Sequence, residues 1–119
     1  QDIKNEAEKF KQFYKYGKNS KNIIISWGST KGAILDAMEG LDCDFLQVLH
    51  IEPFSSKIKK EIEKKNIILI ENNSTGMLAD LISEKTGIFI NEKNKILRYD
   101  GRPFLADELN LEIKKRLIK

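Results

Sequence analysis

Ile67-Ile68-Leu69-Ile70-Glu71-Asn72-Asn73-Ser74-Thr75-Gly76 is the stretch on which the reading of the fold turns. Four consecutive apolar residues, three of them β-branched, suit a strand buried on both faces, as in a parallel sheet. A loop of small polar residues follows. Ser74 or Thr75 can then cap a helix whose apolar positions Leu78, Leu81 and Ile82 share one face and which ends near Gly87. The layout is strand, polar loop, helix.

The same layout recurs outward from this point. Upstream, Ile23-Ile24-Ile25 leads into Ser26-Trp27-Gly28-Ser29-Thr30, and a helix follows with Ile34, Leu35, Met38 and Leu41 inward and Gly40 near its end. Between the two, Phe45 to Leu49 reads as a strand closed by Pro53, and Ser55 or Ser56 caps a helix through Ile58 and Ile62. Downstream, Ile88-Phe89-Ile90 and Ile96-Leu97-Arg98-Tyr99 are short strand candidates around a turn over Asn91 to Lys95. After Tyr99-Asp100-Gly101-Arg102-Pro103-Phe104, a last helix runs from about Ala106 to Ile118 with Leu109, Ile113 and Leu117 on its core side. Strands alternating with helices predict an α/β fold with a mostly parallel sheet covered on both faces, joined by right-handed crossovers.

The first 21 residues read differently. Asp2 can cap a helix with Ile3, Ala7, Phe10 and Tyr14 on one face, Phe13 beside it, and an end at Gly17; Lys18-Asn19-Ser20-Lys21 then looks like a linker. Residues 1–21 are thus expected to be a lead-in helix and linker, and residues 22–119 the α/β domain.

Composition narrows the function classes. A chain of 119 residues is one domain by length. With no apolar run long enough to span a bilayer and no signal-peptide pattern, a soluble, cytoplasmic protein is expected, without a membrane partner. Its opening on Gln1 rather than methionine fits either a piece of a longer polypeptide or a trimmed chain. Cys43 and His50 are the only residues of their kinds, so no disulfide within the chain and no thiolate metal cluster can form. Net charge is +3, and the basic stretch Lys57 to Lys65 is interrupted by Glu61 and Glu63, a solvated helix face rather than a nucleic-acid patch. Two overlapping glycosylation sequons over Asn72 to Thr75 count for nothing without a secretory signal.

The polar loops hold the candidate contacts. Ser29 and Thr30 stand where a helix N-terminus offers unpaired N–H groups, which an anion could use. The segment from Gly28 to Gly32 nevertheless fits neither the dinucleotide fingerprint nor the P-loop, and capping accounts for it. Asn72, Asn73 and Thr75 can brace their own loop. Glu71 and Asp100 as an acid–base pair lack a nucleophile, a histidine partner or a metal cluster, and His50 beside Glu52 reads as a strand-end residue satisfying a loop. Arg102, one of three arginines, stands in a rigid Gly-Arg-Pro turn; its guanidinium suits a bidentate bond within the domain or to a neighbouring one.

Taken in register, Ser26 to Gly32, His50 to Phe54, Glu71 to Gly76 and Tyr99 to Phe104 resemble the C-terminal part of the α subunit of 2-oxoacid:ferredoxin oxidoreductases, over residues ~22 to ~118. The family often has glutamine after the Thr-Gly pair; here Met77 stands there. The resemblance implies a three-layer αβα sandwich like the transketolase C-terminal domain, with a mostly parallel central sheet of about five strands. It implies a parent enzyme that oxidatively decarboxylates a 2-oxoacid to an acyl-CoA, using thiamine diphosphate, Mg and an iron–sulfur cluster, with coenzyme A and ferredoxin as partners. In such an assembly this segment would be non-catalytic and hold no cofactor. Its polar loops (Trp27, Ser29, Thr30, Asn72, Asn73, Thr75, Asp100 and Arg102) would meet the remainder of the α subunit or a β subunit, with tryptophan suited to an interface. The competing readings are an independent anion- or nucleotide-binding α/β module, on the strength of the two capped helix N-termini, and a stand-alone adaptor domain.

Overall fold

The computed structural model describes residues 13–27, 31–49, 56–71, 77–97 and 104–118. The elements alternate along the chain as β1 (Phe13–Tyr16), β2 (Asn22–Trp27), α1 (Lys31–Ala37), β3 (Asp44–Val48), α2 (Ser56–Ile62), β4 (Asn66–Glu71), α3 (Met77–Thr86), a 3-10 turn (Glu92–Asn94), β5 (Lys95–Leu97) and α4 (Ala106–Lys114). One five-stranded sheet has the order β1-β3-β2-β4-β5. β2 pairs in parallel with β3 and with β4, and β4 in parallel with β5, while β1 runs antiparallel to β3.

The isoleucine runs explain the layering. Side chains alternate across a strand, so a run without polar residues must be covered on both sides. Ile23, Ile25, Leu46, Val48, Ile67 and Leu69 face α2 and α3, where Ile58, Ile62, Leu78 and Ile82 complete one core. Ile24, Phe45, Ile68 and Ile70 face α1 and α4, where Ile34, Ala37, Leu109 and Ile113 complete the other. The three-layer α/β sandwich with a mostly parallel five-stranded sheet is therefore present.

Strand membership departs from the sequence expectation at two places. Phe13–Tyr16, expected in the lead-in helix, is an edge strand with Phe13 opposite Val48 and Tyr16 opposite Phe45. The aromatics decide this. Phe13 packs on one core, while Tyr16 stacks on Phe45 at 5.6 Å on the other side and donates its hydroxyl to Gln47 Oε1 at 3.1 Å. A period of two thus overrides the helical period seen in Ile3, Ala7, Phe10 and Tyr14; the earlier part of that expected helix lies outside the described residues. Conversely, Ile88-Phe89-Ile90 is not a strand. Gly87, at φ +77°, ends α3, with its N–H on Ser83 O at 2.8 Å. The backbone of Ile88 is then taken up by Thr86 Oγ1 (3.0 Å) and Ser83 Oγ (3.1 Å).

Because β3 lies between β1 and β2, the chain after β1 crosses beneath the start of β3. Asp44, the first residue of β3, is 1% exposed and fastens the crossing. Its Oδ2 accepts the Ser20 N–H at 3.0 Å, and Lys65 Nζ lies at 3.5 Å. Three asparagines stitch the same edge. Asn22 bonds both backbone groups of Ile118 and the carbonyl of Asp42; Asn66 bridges Asn22 Oδ1 to the carbonyl of Arg116; Asn94 joins Asn66 Oδ1 to the carbonyl of Ile67.

Candidate functional site

The parallel strands all end at one edge. Trp27 is level with Val48, Ser26 with Ile70, and Glu71 with Leu97, so β2, β3, β4 and β5 release the chain on the same side of the molecule. The segments 28–30, 50–55, 72–76 and 98–103, which hold most of the polar motifs, all start from that edge. Phe13 is level with Val48, so the chain also enters β1 there.

Connectivity singles out one place on this edge. From β2 the chain passes through α1 to β3 on one side; from β4 it passes through α3 to β5 on the other. With crossovers of one hand, opposite directions of travel put the helices on opposite faces, and α1 and α3 do belong to opposite cores. β2 and β4 are adjacent, so the connections leaving them lead to helices on opposite faces of the sheet. This is the topological switch point, where open α/β sheets meet their ligands or partners.

Two buried polar side chains stand at these strand ends. Ser26, 1% exposed, donates its hydroxyl to the carbonyl of Ile70 at 2.6 Å, tying β2 to β4 at their ends. Glu71, also 1% exposed, points to the opposite face, and its carboxylate accepts the Leu78 N–H, with Oε2 at 3.1 Å and Oε1 at 3.2 Å. Leu78 is the second residue of α3, so a negative charge sits against the unpaired donors of a helix N-terminus. One strand over, Gln47 is 7% exposed and takes the Tyr16 hydroxyl. These groups are engaged within the fold, with Glu71 capping α3.

Of the expected contact residues, Trp27 ends β2, with its backbone paired to Val48. Ser29, Thr30, Asn72, Asn73, Thr75, Asp100 and Arg102 lie outside the described residues, as do His50 and Glu52. The roles of Ser26, Gln47 and Glu71 were missed in the sequence. The one available signal was Glu71, a carboxylate closing an apolar strand six residues before a helix begins.

Among the described residues no three His, Cys, Asp or Glu side chains converge. Cys43, the single thiol, is buried, and its pKa is pushed up to about 11 by that burial, with Asp44 and Asp42 adding to the rise. Nor, among the described residues, is any helix long and apolar enough to cross a membrane.

Similarity to known proteins is concentrated in one group. The chain is 37% identical over 103 residues to the 2-oxoacid:ferredoxin oxidoreductase subunit alpha of Saccharolobus solfataricus, a match covering 81% of this chain and 16% of that protein. It is 32% identical to 2-oxoacid:ferredoxin oxidoreductase 2, subunit alpha, of Aeropyrum pernix, covering 79% of this chain and 15% of that one. Among solved structures, the 2-oxoglutarate:ferredoxin oxidoreductase of Magnetococcus marinus, with 2-oxoglutarate, coenzyme A and succinyl-CoA bound, matches 94% of this chain and 21% of its own at TM-score 0.77 and 25% identity. The alpha chain of a probable 2-oxoacid ferredoxin oxidoreductase from Thermoplasma acidophilum matches at TM-score 0.58 and 32% identity, over 87% of this chain and 95% of that chain. No protein-family model matches. The chain thus spans only 15–17% of the length of the curated relatives it matches.

Proposed function

We propose that this chain, which belongs to the 2-oxoacid:ferredoxin oxidoreductase alpha-subunit family, is a C-terminal assembly domain of such a subunit and performs no chemistry itself. The parent complex, on this reading, oxidatively decarboxylates a 2-oxoacid to an acyl-CoA and passes the electrons to ferredoxin. Thiamine diphosphate, Mg and the iron–sulfur cluster sit in other domains or in a β subunit. The observation that carries the reading is the state of the switch-point edge. Its described polar groups, Ser26, Gln47 and Glu71, are buried and bonded inside the fold. In sequence, the polar segments 28–30, 50–55, 72–76 and 98–103 follow the strands that end at this edge. An edge that spends its buried polar groups on holding itself rigid is built to present a surface, not to turn over substrate.

The test is the composition of the native particle. Affinity capture from the source cells should return a polypeptide several times longer than 119 residues, a companion subunit, and 2-oxoacid-dependent reduction of ferredoxin. Recovery of a free chain of about this size (13.7 kDa) would overturn the proposal. The topological switch point between β2 and β4 also favours the second reading, an anion- or nucleotide-binding module. That reading requires a rise in Tm with phosphate, ADP or coenzyme A, because a ligand that binds only the folded state stabilises it.

A further inference from the structure

We draw no further inference here: the strongest candidate, the buried Asp44 carboxylate with Lys15 and Lys65 at the start of β3, belongs to the chain crossing already described, and its unpartnered Oδ1 stands against Gly17, with nothing in the structure pointing to a ligand.

Discussion

At Gly17 the backbone has φ +124°, and an added methyl would stand 2.2 Å from Asp44 Oδ1 and 3.0 Å from Asp44 Cα. Both the conformation and the space therefore demand glycine. Neither neighbour can withdraw, since Asp44 is held by Ser20 and Lys65 where the chain passes under β3. Gly17→Ala should cost about 2–4 kcal/mol from backbone strain and overpacking combined. The check is a lower urea midpoint with an unchanged m-value. Cys43 makes a second prediction at this scale. With its thiol pKa raised to about 11, the folded chain should resist disulfide reagents at pH 8 and react promptly once unfolded. The sign for stability follows from linkage. The folded state holds the thiol proton more tightly than the unfolded one, so the contribution of this group is complete below pH 9 and is lost as pH rises from 9 towards 11. Cys43→Ala should flatten that alkaline limb of the stability profile; an unchanged limb would assign it to other groups.

Elements are joined at both edges of the sheet by polar side chains that do structural work. At the amino edge Asn22, fully buried, satisfies the backbone N–H and C=O of Ile118, ninety-six positions away in sequence. Asn22→Ala should leave several of these groups unpaired and cost on the order of 3 kcal/mol, at about 1–3 kcal/mol for each buried orphan. The loosening should appear first as faster exchange of amides at the end of α4. At the opposite edge, Glu71→Ala should lower stability by about 1–2 kcal/mol through loss of a charged cap. Glu71→Gln, which keeps one acceptor, should fall between that variant and the wild type. The same elements show what was legible beforehand. The two isoleucine-rich strands β2 and β4, the strand β3 between them in sequence, and the four helices declared themselves, because an apolar run or an i, i+3, i+4 stripe leaves little choice. β1 did not. Phe13 to Tyr16 fits a helical stripe with Ile3, Ala7 and Phe10, and only the tertiary partners Phe45 and Gln47 choose the extended form. Ile88 to Ile90 misled in the other direction, since the end of α3 claims the backbone that a strand would need. The roles of Ser26 and Gln47 escaped for a similar reason: their partners are distant in sequence.

The whole molecule is a single sheet with a separate apolar core on each face, and its stability should reflect that shared wall. Ile24 and Ile25 are adjacent in β2, both fully buried, and belong to opposite cores. Truncating either to alanine should cost about 2–5 kcal/mol, the range for deleting a large aliphatic side chain from a packed core. Because β2 lies between β3 and β4 and both cores rest on it, neither variant should unfold one layer alone. Fluorescence and far-ultraviolet circular dichroism should give coincident single transitions for both. Hydrogen exchange supplies the finer test. Opening costs the full unfolding free energy where strands are paired on both sides and less at edges. In the 119-residue chain, β2 and β4 amides should therefore be the slowest to exchange, β3 next, and β1 and β5 the fastest. Each edge strand has one described neighbour and only three or four residues, so the ranking follows from topology rather than composition. Equal protection across all five strands in the chain by itself would mean that an edge is already covered, and would place its partner within these 119 residues.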